Sequence, residues 1–240
     1  TNVFAHINDL DDFMKTADSL LVENGMIIIE APYLLHLLEN LEYDTIYHEH
    51  LSYLSVKPIV EFFKKFNFEV FDIEKQEIHG GTLRYYISRK NKKQITKNIV
   101  NYLEIEEKSK IYSKEKLLDF SKSVKHHREK LLQLLNKLKK EGKQIVAISA
   151  PAKGNTLLNY CKINPDHIEY TVDLSPHKQG LFLPGTHLPI KSPSIIKETK
   201  PDYIIILPWN LKDEIMEQMK DIKEWGGKFV IPIPEVKIYS

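Results

Sequence analysis

Among 240 residues there is one cysteine, Cys161, which excludes an internal disulfide and a cysteine-based zinc site. No apolar run approaches the roughly 18 to 20 residues that span a bilayer, and no basic flank followed by an apolar stretch opens the chain as in a secretory signal. A cytoplasmic protein with no membrane partner is the expectation. An excess of one charge is missing too: 34 Lys and Arg face 33 Asp and Glu, for a formal net charge of +1. That balance gives no electrostatic pull toward nucleic acid. The nine glycines, at 25, 80, 81, 142, 154, 180, 185, 226 and 227, form neither G-x-G-x-x-G nor G-x-x-x-x-G-K-[ST]. The fingerprint of a complete dinucleotide or nucleoside triphosphate site is therefore absent, which counts against an NAD-dependent oxidoreductase. A serine nucleophile elbow and H-E-x-x-H do not occur either.

What is present is the composition of a soluble globular protein, 42% hydrophobic and 28% charged, enough for one large domain or two small ones. The chain opens on Thr1 rather than methionine, and Asn2-Val3-Phe4 follow without a turn or cap, so a piece of a longer protein is expected. Residues 9–17 read as a helix that Asn8 or Asp9 can cap, and Gly25 breaks the chain before an apolar strand at 26–30 that Pro32 ends. A helix over 57–66 and strands at 68–73 and 82–88 follow, the last two antiparallel across Gly80-Gly81. From about Lys90 to Lys140 there is no glycine or proline, and leucines recur at helical spacing. This stretch reads as solvated amphipathic helices bridging two domains. Beyond Gly142 strands and helices alternate: strands at 144–149, 168–172, 203–207 and 228–233, helices at 154–161, 194–199 and 211–223. Such alternation predicts a parallel sheet in a small Rossmann-like domain.

Three clusters carry chemistry. Asp44-Thr45-Ile46-Tyr47-His48-Glu49-His50 is the densest set of titratable groups. If extended, it places His48 and His50 on one face and Tyr47 and Glu49 on the other; in a turn the set converges. A histidine near its ordinary pKa suits removal of an acidic proton, and a carboxylate or phenol beside it can orient it. Zinc is the competing reading, but two histidines one residue apart need further ligands. Singly, each histidine reads as structural; the cluster together reads as catalytic. The second set, Ile78-His79-Gly80-Gly81-Thr82-Leu83-Arg84, lets a ligand approach the paired glycines with His79 or Arg84 facing it, or is a hairpin turn with a surface arginine. The third, Ser149-Ala150-Pro151-Ala152-Lys153-Gly154-Asn155-Thr156, runs from a strand into a helix, where free N–H groups, the helix dipole and Lys153 attract a phosphate. The alternative there is a plain helix cap by Asn155 or Thr156. The loop with Asp173 and Lys178 leaves the next strand on the same side of the sheet, where ligands of open α/β sheets sit. Pro184-Gly185-Thr186-His187 reads as a lid or a turn.

Asn2-Val3-Phe4-Ala5-His6-Ile7, Tyr47-His48-Glu49-His50, His79-Gly80-Gly81, Ala150 to Thr156 and Pro176-His177-Lys178-Gln179-Gly180 together resemble the sugar C-methyltransferases. These use S-adenosylmethionine on nucleotide-linked 4-keto deoxysugars. The resemblance implies an α/β fold: the second half of a class I methyltransferase sheet over residues 1–92, a helical linker over 93–141 and a Rossmann-like domain over 142–240. It also implies that the family's zinc module and glycine-rich first half have no counterpart here, so no metal ligand is assigned and this chain alone binds the methyl donor poorly. His50 matches the family's proposed base, and Tyr47, Glu49 and His6 match residues lining the same pocket; His48 receives no catalytic role. Asn2 is assigned to the donor. Lys153, Gly154, Asn155 and Thr156 are inferred to hold the nucleotide's phosphates, with His79, Arg84 and Lys178 as further substrate contacts. The rival expectation is a nucleotide-sugar or phosphate-binding module without catalysis, its histidines structural.

Overall fold

The computed structural model describes residues 3–76 and 81–240, so Asn2, His79 and Gly80 lie outside the described residues. Within them the chain forms two compact units: the chain up to Asn40 with His48–Phe120, and Leu41–Tyr47 with Ser121–Ser240.

The first unit begins with a single helical turn, Phe4–His6, and α1, Leu10–Leu20. Asp9 starts α1 as the sequence requires, its carboxylate accepting from the Asp12 amide at 2.8 Å and so occupying one of the helix's unpaired donors. Strand β1 (Met26–Pro32), helix α2 (Leu34–Glu39), helix α3 (Val56–Lys64) and strands β2 (Phe68–Gln76) and β3 (Thr82–Arg89) follow. The strands make an antiparallel sheet in the order β1-β3-β2. In central β3, Leu83, Tyr85 and Ile87 alternate into the core and are fully buried, the two-residue period of a strand with one face inward. Helix α4 (Lys97–Ser109) packs on β2 and α3. Its buried Glu106 accepts from the amides of Val56 and Lys57, at 2.5 and 3.0 Å, capping α3 from another element. A carboxylate there meets the positive end of the helix dipole. Helix α5 (Lys114–Lys140) starts in this unit and is divided between the two at Phe120 and Ser121.

The second unit contains β4 (Ile145–Ile148), α6 (Ala152–Cys161), β5 (Thr171–Val172), β6 (Ile190–Lys191), α7 (Ile195–Thr199), β7 (Tyr203–Ile206), α8 (Lys212–Gln218), β8 (Lys228–Ile231) and β9 (Lys237–Tyr239). Its sheet order is β6-β5-β4-β7-β8-β9. The first five strands are parallel, and β9 pairs antiparallel with β8. The chain therefore walks outward from β4 to β6 and crosses back to β7, so the winding reverses between β4 and β7. Buried Ile145, Val146, Ala147, Ile204, Ile205 and Ile206 fill those two strands, the continuous apolar run of a sheet covered on both faces.

Several lengths differ from the sequence reading. The strand expected over 168–172 is regular only at Thr171 and Val172, although bonds from Glu169 N to Ile145 O and from Ala147 N to Tyr170 O carry pairing further back. The helix expected over 211–223 ends at Gln218. A 3-10 segment, Lys220–Trp225, replaces its last turns and stops at Gly226 with φ +79°, the left-handed conformation that glycine adopts freely. The elements α2, β6 and β9 were not foreseen: the two strands are two and three residues long and show no period.

Candidate functional site

His6 and His50, 44 positions apart, are brought together by backbone bonding. The carbonyl of Ala5 accepts from the amides of both Leu51 and Ser52, at 2.9 and 3.2 Å, pinning the segment after His50 to the turn that carries His6. Ala5 and Phe4 are buried, and Phe4 stacks on Phe63 with ring centroids 6.1 Å apart, so the turn is anchored in the core. The outcome is two imidazoles edge to face, centroids 5.0 Å apart at 61°, with Tyr53 edge-on to His50 at 6.4 Å. His6 is exposed and His50 half-buried, so both reach solvent, as groups that exchange protons with a substrate must. His48 and Glu49 occupy an exposed turn rather than an extended strand. The boundary between the units falls inside this motif: Tyr47 belongs to the second unit and His48 to the first.

Arg84 is engaged within the first sheet. Its Nε donates to the buried carboxylate of Glu30 at 2.6 Å, and Glu74 lies 3.8 Å from its other end.

In the second unit the loop leaving β4 is sharply bent. Ser149 takes φ +70°, a region a residue with a Cβ enters at a cost and that concentrates at functional sites. This bend aims the Ala150 amide at Asp173 Oδ2, 2.7 Å away. Asp173 also accepts from Ser175 N at 2.9 Å and lies 3.5 Å from the Lys178 ammonium. Although burial alone would raise it, these partners hold its carboxyl below the usual range. Lys178 also donates to the Ala150 carbonyl at 3.0 Å, so Asp173 and Lys178 brace the loop ahead of α6 together. Gly154 is needed for packing: a Cβ there would lie 2.8 Å from Leu207 Cβ. The 184–187 segment is a turn tied to α6, with Asn159 donating to the Pro184 carbonyl at 3.0 Å.

Lys153 is aimed at β7's end of the sheet. Its ammonium donates to Asn210 Oδ1 and lies over the Trp209 ring, 4.4 Å from the centroid. Trp209 Nε1–H in turn donates to Oδ2 of Asp44 at 2.7 Å. Asp44 has no exposed surface. Its carboxyl is pushed up to about 6 by burial, a rise that the Trp209 bond and the Lys153 charge oppose. Lys153 is itself pulled down by burial, against the charges of Asp44 and Glu42. Trp209 and Asn210 were missed by sequence reasoning. The available signal was their position directly after a strand, at the point where the winding reverses and ligands of open α/β sheets bind. One residue before Asp44, buried Tyr43 is held by His127. His127 Nε2–H donates to the Pro232 carbonyl at 2.6 Å, an acceptor only, which leaves Nδ1 to accept from Tyr43 OH at 3.0 Å. Burial keeps His127 below its ordinary pKa.

The described residues do not fit a cradle for S-adenosylmethionine. Gly25 and Gly81 are the described glycines of the first unit; Gly25 closes the turn between α1 and β1, and Gly81 lies against the His36 ring. Neither stands in a strand-to-helix turn that would present amides to a ligand. No group of three or more His, Cys, Asp or Glu among the described residues is arranged for a metal ion, and no helix among them is long and apolar enough to cross a membrane.

A family model described as the C-methyltransferase C-terminal domain matches residues 77–234, and one described as a methyltransferase domain matches residues 1–73. The C-methyltransferase NovU of Streptomyces niveus is 32% identical over 238 residues, 99% of this chain and 57% of NovU. The chain thus spans little more than half the length of that relative. With the α/β architecture of both units and a domain model matching most of its length, the chain belongs to the C-methyltransferase family.

Proposed function

We propose that this chain is the substrate-handling portion of an S-adenosylmethionine-dependent enzyme that methylates a carbon of a nucleotide-linked 4-keto deoxysugar. The observation that carries the reading is the convergence of His6 and His50 across 44 positions, beside Tyr53. A keto group acidifies the C–H bond on the neighbouring carbon. His50 takes that proton on a ring nitrogen: the C–H bond breaks, an N–H bond forms, and the electron pair moves onto the carbonyl oxygen as an enolate. His6, edge-on to His50, and Glu49, its neighbour in sequence, line the same pocket in this reading. S-adenosylmethionine supplies the electrophilic methyl group, and no residue described here is assigned to that step; Asn2 is the chain's own candidate for contact with it. The start of α6, with Lys153, Gly154, Asn155 and Thr156, takes the nucleotide's phosphates, helped by Lys178. His79 and Arg84, flanking Gly80-Gly81, are the further substrate contacts.

A second reading, a nucleotide-sugar-binding module without catalysis, draws on the second unit alone, whose buried polar groups have the look of a binding site. Deuterium exchange separates the two. With a thymidine diphosphate 4-keto deoxysugar in heavy water, the enzyme reading expects NMR to record exchange at the carbon beside the keto group. It also expects His50→Asn to abolish that exchange while affinity for thymidine diphosphate is unchanged. Exchange that survives His50→Asn removes His50 as the base, and binding without any exchange favours the module.

A further inference from the structure

Three side chains of the second unit form one continuous chain. Lys153 on α6 lies over the Trp209 ring at 4.4 Å, and the Trp209 indole N–H donates to Asp44 at 2.7 Å. A cation over an aromatic face is attracted by the ring and withdraws density from it, which makes the indole N–H a stronger donor. The bond to the Asp44 carboxylate is strengthened by the same polarisation. Asp44 sits in the excursion Leu41–Tyr47, which the chain sends into the second unit between two stretches of the first. This bond helps to hold the excursion there, as does buried Tyr43, whose hydroxyl meets His127 and, at 3.4 Å, Cys161. It ends at Tyr47, immediately before His48.

The other oxygen of Asp44, Oδ1, is buried with no hydrogen-bond partner among the described residues. An ionised carboxylate in that position is costly; the Trp209 N–H, the Lys153 charge and the amides of Asp44 and Thr45 support it, with Tyr43 beside it and Glu42 acting on Lys153. Of these, Lys153 carries the positive charge. An anion at the start of α6 competes with Asn210 Oδ1 and the Trp209 ring for that ammonium. Once Lys153 turns toward the anion, the indole N–H loses its polarising cation and Asp44 its compensating charge, and Asp44 then takes a proton from solvent onto its unpartnered oxygen.

We propose that Lys153, Trp209 and Asp44 form a relay through which a phosphate group bound at the start of α6 acts on the segment 41–47. The relay rests on the nucleotide-binding reading above and adds to it a response of the segment 41–47 to binding. A phosphate-bearing substrate is in this way both held and sensed.

The chain's two tryptophans allow the test. Trp225→Phe leaves Trp209 as the one emitter, and this variant is titrated with thymidine diphosphate while binding is followed in parallel by calorimetry in two buffers of different ionisation heat near pH 6.5. The relay expects Trp209 emission to change saturably with the calorimetric midpoint, accompanied by uptake of about half a proton. That uptake should vanish in Asp44→Asn, which keeps the shape of the side chain, and in Trp209→Phe, which keeps a ring under Lys153 but removes the N–H, with both variants still binding. Binding with steady Trp209 emission and the same proton uptake in Asp44→Asn overturns the relay and leaves the nucleotide reading intact. No calorimetric binding overturns both.

Discussion

The two units hold their candidate functional groups in opposite ways. In the first, His6 and His50 lie at the surface, and what is buried is the scaffold that brings them together: Phe4, Ala5 and the Ala5 carbonyl with its two amide donors. In the second, the functional groups themselves are buried or half-buried, and Asp44, Trp209, Lys153 and Asn210 bond chiefly to one another. A general base has to meet substrate and trade protons, so rigidity belongs in the backbone behind it. A group that fixes a bound anion gains from a low-dielectric setting, where charge and hydrogen bonding are worth more.

The sharpest test of this contrast is a kinetic split between the two units. His50→Asn in the intact enzyme is expected to lower kcat by about 10² to 10⁴-fold, the usual worth of a general base, with little change in KM. A KM effect alone would mean that the histidine binds rather than abstracts. The next largest effect lies in the pH dependence of stability. Asp44 keeps its proton in the folded chain up to about pH 6, whereas the unfolded chain releases it near 4. The folded state therefore binds more protons between those values, and the stability Asp44 contributes is lost as pH rises through 6. Asp44→Asn removes that dependence, so its stability relative to the parent should grow by on the order of 2 kcal/mol from pH 4 to pH 7.5 in urea unfolding. His127 works the other way: neutral in the folded chain and lowered by burial, it costs stability as pH falls below about 6.5. The Asp44→Asn variant should accordingly lose stability more steeply on acidification than the parent. Equal slopes would mean that Asp44 does not hold its proton in the folded chain between pH 4 and 6.

Lys153→Ala should weaken thymidine diphosphate binding by about 10 to 100-fold in calorimetry, the worth of a charge-assisted phosphate contact. Smallest is Asp9→Ala, which removes the α1 cap far from either set of groups. It should cost about 1 kcal/mol in thermal or urea unfolding and leave both exchange and nucleotide binding alone. If it also slowed exchange, the histidine pair would be shown to depend on global stability rather than on its own scaffold.

Much of the fold was legible because the signals were local. Asp9 marks the start of α1, the alternation of Leu83, Tyr85 and Ile87 marks β3, and the short apolar runs after Gly142 mark a parallel sheet. The short strands β6 and β9 were not legible, since two or three residues carry no period and are defined by their partners. The motif at 44–50 was visible as a cluster, but its division was not: nothing in the order Asp44 to His50 says that Tyr43 and Asp44 are buried in the second unit while His48 and Glu49 turn outward in the first. Lys153 was legible as a cation at a helix start. Its contact with Trp209, 56 positions later, depends on β4 and β7 being neighbours, and that adjacency is a property of the sheet rather than of either strand.

The sequence by itself determined the residue types, the α/β pattern and the motifs that resemble the C-methyltransferases, because composition, capping and hydrophobic period act over a few residues. Tertiary structure alone decided which of those residues meet. Chain closure brings His6 to His50, and the reversal of winding between β4 and β7 brings Lys153, Trp209 and Asp44 into line. Such meetings depend on packing and hydrogen bonds between segments tens of residues apart, which no local pattern encodes.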